Sequence, residues 1–107
     1  MGLAHTPEPP YYAVIFSSLQ GDNLEGYGET AQRMRELAAQ QPGYLGVEHA
    51  RDDIGITISY WEDLDAISAW RANVEHAQAR RQGRERWYRA YELRVCKVEK
   101  AYSKPSR

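Results

Sequence analysis

Apolar and polar positions along the chain follow two rhythms. From Tyr11 the run "YYAVIFSSL" is rich in aromatic and β-branched residues, the mark of a buried strand over about residues 11–19. "QGDN" then breaks it. From about Glu25 to Gln41, the residues Tyr27, Ala31, Met34 and Ala38, with Leu37 beside them, recur at steps of three and four, the period of an amphipathic helix. "QPGY" ends that helix, because Pro42 lacks a backbone donor and Gly43 supplies a turn. "YLGVEHAR" and "GITISYWE" follow as a hairpin joined by "DDIG", with Ile56, Ile58 and Tyr60 on one face and Thr57, Ser59 and Trp61 on the other. Asp63 or Asp65 can cap the next helix, whose buried stripe reads Leu64, Ile67, Trp70, Val74 and Ala77, and Gly83 weakens or bends its far end. "RWYRAYELRVCKVEKAY" returns to strand character, with Tyr91, Leu93 and Val95 alternating.

The order is therefore β-α-β-β-α-β, an α+β, ferredoxin-like arrangement with a four-stranded antiparallel sheet. Residues 1–10, with prolines at 7, 9 and 10, form an extended and loosely held arm; residues 11–102 form the domain, and residues 103–107 a polar tail. Two helices on one face of the sheet leave the other face bare. Large exposed apolar faces mark interfaces, so the pattern predicts a homodimer packed sheet to sheet.

Composition narrows the function classes. At 107 residues there is one hydrophobic core. Fourteen basic against fifteen acidic residues give a net charge of -1, which points to no nucleic-acid partner. The arginines at 80, 81, 84, 86 and 89 are interleaved with Glu75, Glu85 and Glu92 and read as a solvated, salt-bridged face. No basic leader and no run of about 18 apolar residues is present, so the expected setting is cytoplasmic, away from membranes. Cys96 alone makes neither an internal disulfide nor a metal-ligand pair; it reads as a packing residue, with a reactive thiol as the alternative. Nucleotide, zinc and nucleophile-elbow motifs are all missing. Eight tyrosines and three tryptophans are more than a small core needs, and they suit an interface or the wall of a flat ligand's site.

The candidate chemistry lies in "WRANVEHAQARRQGRERWY". Asn73, His76 and Arg80 stand at i, i+3 and i+7 and share one helix face beside Trp70 and Val74. His76 is either a general base at a pocket edge or a helix-end histidine bonded to a neighbour. Trp70 falls on the apolar stripe and reads first as core. Trp61 and Trp87 flank strand ends, as pocket walls or as plugs. Ser17 and Ser18, small and polar in an apolar run, are satisfied core hydroxyls or contacts for a ligand oxygen. His5 and His49 carry little weight, His49 as an exposed hairpin residue.

Taken together, "QQPGYLGVEHARD", "GITISYWEDLDAISAWRANVEHAQARRQGRERWY" and "YELRV" resemble the antibiotic biosynthesis monooxygenase family, over nearly all of residues 11–102. The telling pieces are the turn at Pro42 to Gly46, the strand end at Tyr60 to Asp63 and the segment Ala69 to His76. The resemblance implies a dimeric α+β barrel with a pocket between sheet and helices. It also implies oxidation of an aromatic, phenolic or quinol-type small molecule by O2 with no metal, flavin or other cofactor. In such a site His76 would transfer the proton and Asn73 or Arg80 would hold the enolate or phenolate. Trp61 and Trp87 would form ring walls, with Trp70, Tyr91 and Ser17 as further substrate contacts. A second branch of that family degrades heme, and Trp70 matches its helix tryptophan; here, however, "IFSS" replaces the first-strand asparagine and Arg80 falls near the axial histidine position. An arginine has no lone pair for iron, so heme is disfavoured. The rival from another class is a non-catalytic dimeric binding or stress-response module. An enzyme requires an open, aromatic-lined cavity with a titratable group, whereas a structural barrel would pack Trp61, Trp70 and Tyr91 without a void.

Overall fold

The two rhythms fold as eight elements, seen here in a computed structural model that describes residues 2–105; Met1 of the arm and residues 106–107 of the tail lie outside the described residues. They are β1 (Tyr11–Gln20), α1 (Tyr27–Ala38), β2 (Tyr44–Arg51), β3 (Gly55–Trp61), α2 (Leu64–Ala72), α3 (Val74–Gln82), a π-helical turn (Gly83–Trp87) and β4 (Tyr88–Val98). The sheet is antiparallel with order β2-β3-β1-β4, so the most apolar strand, β1, takes a central place between β3 and β4. This is the ferredoxin-like α+β architecture.

Strand register fixes what each face carries. Val14 pairs with Ser59 and Val95, and Phe16 with Thr57 and Leu93. These residues share the face that the helices cover. Ile15 pairs with Ile58 and Arg94, and Ser17 with Ile56 and Glu92, on the opposite face.

Local chemistry sets the joints. Gly43 follows Pro42 with φ 85°, and a Cβ built on it would lie 2.5 Å from the Ala66 Cβ. Only glycine fits a turn that needs both the left-handed backbone and that close approach to α2. Asp63 caps α2, its Oδ1 accepting from the Ala66 N–H at 2.8 Å.

The second helix is not continuous. It breaks at Asn73, whose backbone (φ -58°, ψ 128°) leaves the helical region and whose Oδ1 accepts from the His76 N–H at 3.0 Å, starting α3. Asparagine competes with helix backbone bonding and favours the cap position, so it outweighs the apolar period that runs through it. The expected stripe fails at Val74, just past the break and 73% exposed, and at Leu64, the first residue of α2 and 51% exposed, while Ile67 and Trp70 face the cavity between sheet and helices. The last strand also begins later than the pattern predicts, at Tyr88, because residues 83–87 wind as the π turn. Gly83 is required there, since a Cβ on it would lie 2.8 Å from the Tyr88 ring.

The arm is pinned at two points. The Ala4 N–H donates to Glu48 Oε2 at 3.1 Å, and the Thr6 hydroxyl meets the Tyr11 phenol at 2.9 Å. Trp61 is fully buried, and Tyr11, Ala13, Ala38 and Trp87 are buried with it.

Candidate functional site: an aromatic cavity ringed by arginines

Between the inner face of the sheet and the helices lies a cavity of about 340 Å³. That falls at the lower end of the range of about 300–1,000 Å³ usual for small-molecule sites. Val14, Phe16, Leu93 and Val95 form its floor, and α1 contributes Tyr27, Ala31 and Met34. Aromatic rings supply much of the wall: Trp70 from α2, Trp87 from the π turn, and Tyr88 and Tyr91 from β4. Phe16 makes an edge contact with Tyr88 at 5.2 Å and a tilted one with Tyr91 at 5.5 Å. Tyr91, Leu93 and Val95 stay 41–47% exposed, so the floor is open along the β4 edge.

His76 has its ring held by two contacts, both to Trp70. Its ring stacks on Trp70 with centroids 4.0 Å apart and planes 11° from parallel. Its Nδ1 lies 2.9 Å from the Trp70 carbonyl oxygen. A carbonyl only accepts, so Nδ1 carries the proton and the neutral ring keeps its lone pair on Nε2. Burial pushes the imidazole pKa below its ordinary value; the Trp70 carbonyl opposes this, while Arg80 and Arg71 add to it. The result is a histidine in the cavity lining whose neutral form is favoured by its surroundings.

Arg80 also lines the cavity. One guanidinium nitrogen donates to the Arg71 carbonyl at 3.1 Å, while its Nε is buried without a partner. Burial lowers its pKa, and the charges of Arg71 and Arg84 lower it further. Glu75 does not neutralise this group. It is engaged by Arg33 of α1 at 2.7 Å, the one ion pair among the described residues. The expectation that the arginine run forms a salt-bridged face is therefore corrected: none of Arg80, Arg81, Arg84, Arg86 and Arg89 pairs with an acid among the described residues, and Arg80 and Arg84 line the cavity.

Of the residues singled out from the sequence, His76, Arg80, Trp70, Trp87 and Tyr91 come together around the cavity. Three do not. Ser17 sits on the opposite face of the sheet, because the strand alternates and its neighbour Ser18 takes the inner side. Asn73 spends its side-chain oxygen on the α3 cap. Trp61 is sealed in the core rather than in the wall, its Nε1 donating to Ser59 at 2.9 Å and its ring against Trp70 at 6.2 Å and Tyr44 at 5.6 Å. Trp87, also buried, both lines the cavity and ties the π turn to the chain ahead of α1 through its Nε1 bond to the Glu25 carbonyl at 2.9 Å.

His49, Arg35 and Arg71 were not picked out from the sequence. His49 is exposed, as expected of it, yet it bonds Thr57 at 2.9 Å and borders the cavity. The alternation of "VEH" in β2, which sets His49 on the same face as Val47, was the available signal.

With this geometry in place, comparison with known proteins is direct. The model of a family described as antibiotic biosynthesis monooxygenase matches residues 10–82. The chain belongs to the antibiotic biosynthesis monooxygenase family. The chain is also similar to the uncharacterized protein YqjZ of Bacillus subtilis (strain 168), 58% identical over 100 residues, which cover 92% of this chain and 88% of that protein. Among solved structures, SnoaB, a cofactor-independent oxygenase from Streptomyces nogalater, superposes with a TM-score of 0.76 at 14% identity, covering 90% of this chain and all 100% of that one. Rv0793 from Mycobacterium tuberculosis gives 0.76 at 14% identity, over 87% and 99%. At such identities the likeness establishes the family's shared fold and not a shared reaction. Among the described residues no helix is long and apolar enough to cross a membrane, and no cluster of three or more metal-binding side chains occurs.

Proposed function

We propose that the chain is a cofactor-independent monooxygenase that oxidises an electron-rich phenolic or quinol-type aromatic with O2. The observation that carries this is His76: a neutral imidazole, locked by Trp70, in the wall of an open aromatic cavity. The Nε2 lone pair removes an acidic proton from the bound ring system. The resulting enolate or phenolate is electron-rich enough to reduce oxygen directly. For an activated ring CH2, one oxygen atom ends in the product carbonyl and the other in water, and the substrate supplies the electrons. Arg80, a cation in the cavity lining, stabilises the anion as it forms. Trp70, Trp87 and Tyr91 hold the ring plane.

The same proposal includes a homodimer in the cytoplasm. Ile15, Ile56 and Ile58 lie on the sheet face away from the helices, and Ile56 is 40% exposed, a surface that a second copy would cover.

An oxygen electrode tests the reaction. The purified, metal-free protein is given a panel of anthrones and hydroquinones beside His76→Ala and a heme titration. Uptake by the wild type that falls about 10²–10⁴-fold in the variant supports the base role. No uptake with any member of the panel sinks the oxygenase and leaves a binding module, and a saturable one-per-subunit Soret shift would revive the heme branch.

A further inference from the structure

Four arginines, Arg35, Arg71, Arg80 and Arg84, line the cavity from α1, α2, α3 and the π turn, and no aspartate or glutamate lines it with them. The protein as a whole has a net charge of -1, so this is a local concentration of charge and not the consequence of a basic chain. The obvious acid nearby is taken: Glu75 holds both Nε and a terminal nitrogen of Arg33, at 2.7 and 3.2 Å, on the other side of α3. Arg71 and Arg84 stand close enough to Arg80 to disfavour its charge, and Arg80 Nε is sealed from solvent with no acceptor. Like charges gathered against aromatic rings repel one another, weakly where Arg71 and Arg84 face solvent and more where Arg80 is half-buried. Arg80 has one role in the fold, its bond to the Arg71 carbonyl in the last turn of α2, but no acid among the described residues pairs with any of the four.

We infer that the occupant of this cavity is an aromatic carboxylate, with its ring system among Trp70, Trp87 and Tyr91 and its carboxylate on the Arg80 guanidinium, flanked by Arg71 and Arg84. A carboxylate is the planar acceptor that a guanidinium fork meets best, through two parallel bonds. It also neutralises the cluster that no protein acid neutralises. The inference rests on the cavity being the substrate site, and it adds a permanent anionic group to the substrate, distinct from the phenolate or enolate formed during reaction. A neutral anthrone or hydroquinone would leave the arginines uncompensated. An aromatic acid would not.

Binding without turnover tests this. Calorimetric titrations under nitrogen compare naphthoate with its neutral methyl ester, on the wild type, Arg80→Gln and Arg84→Gln. The acid is expected to bind at least about tenfold more tightly than the ester, tenfold being about 1.4 kcal/mol. That preference should shrink to about threefold or less in Arg80→Gln and by a smaller factor in Arg84→Gln, in the manner of a lost charge-assisted bond. Added salt should weaken the acid and leave the ester unchanged, because only the acid depends on partly screened charge. Because acid and ester are compared within each variant, a partial loss of folding does not mimic the effect. The inference is overturned if the ester binds as well as the acid, if the preference survives in Arg80→Gln, or if neither compound binds at millimolar concentration. The outcome is separable from the oxygenase proposal. Acid preference without oxygen uptake keeps this inference and removes the reaction, whereas oxidation of neutral anthrones without acid preference does the reverse.

Discussion

The outer face of the sheet and the helix wall of the cavity treat their charged groups in opposite ways. On the outer face the Tyr60 phenol donates to Glu48 Oε1 at 2.6 Å and the Ala4 amide to Glu48 Oε2 at 3.1 Å, so that each carboxylate oxygen has a partner from the fold itself. In the helix wall of the cavity Arg80 Nε has none, and the arginines around it have no carboxylate within ion-pair distance. Burying a polar group without a partner is unfavourable, so a fold tolerates it where something other than stability is served. Satisfied polar groups here mark architecture. Of the two buried nitrogens without a partner among the described residues, Arg80 Nε belongs to a residue of the cavity lining and Arg51 Nε to one outside it.

If that division is right, substitutions should sort by face and by partner. The largest effect is expected for His76→Ala on turnover, a loss of about 10²–10⁴-fold in kcat/KM with no comparable loss of Tm. Acid should act on the same group. With the His76 pKa depressed by burial, the neutral ring persists through pH 6.5, and the acid limb of kcat/KM should fall only below that value. Folding follows the same sign: a depressed imidazole pKa gives stability that is present above the unfolded value and lost as pH falls through the folded one.

Next comes Trp61→Ala, expected to lower unfolding free energy by about 3–5 kcal/mol, since the ring is fully buried among Tyr44 and Trp70. Denaturant titration measures it. Trp61→Phe should restore much of the loss, and a variant that stayed fully stable would move Trp61 out of the core and back into the wall.

Asn73→Ala should be milder, about 1 kcal/mol, the usual worth of a helix cap. Asn73→Asp separates capping from catalysis. It keeps the cap acceptor, so stability and turnover should both hold, whereas a collapse of turnover alone would make Asn73 an anion-binding residue after all.

An effect of similar size belongs to the outer face. Burial and then the bond to Glu48 raise the Tyr60 pKa to about 12. A phenol whose folded pKa lies above its unfolded value of about 10 contributes stability that is complete below pH 10 and lost as pH rises toward 12. Tyr60→Phe should flatten that alkaline limb of the stability curve and lower stability at neutral pH by about 1 kcal/mol.

How much of this was legible in the sequence follows from which residues act locally. Strands and their alternation were, because period two is imposed by the backbone wherever one face is buried; the placement of Phe16, Tyr91 and Leu93 on one wall follows from it. The family resemblance was equally legible, in the turn around Gly43 and the segment that ends at His76. The break at Asn73 was not seen, although an asparagine followed by Glu75 in the first turn is a helix-start signal. It was hidden inside an apolar period that continued across it. Register within β1 could have separated Ser17 from Ser18, but only with its partners on β3 and β4 known. The pairing of Glu75 with Arg33 lay furthest beyond reach, since it joins two helices 42 positions apart and thereby decides which arginines stay unpaired.

The state of one imidazole decides most. Long-range ¹⁵N NMR of His76 across the acid range reads its tautomer and its pKa together. A ring protonated on Nδ1 at pH 7, titrating below the ordinary imidazole value of about 6.5, is the expected result. A ring protonated on Nε2, or one still cationic at pH 7, has no free lone pair for the bound aromatic and would contradict the assignment of His76 as the base.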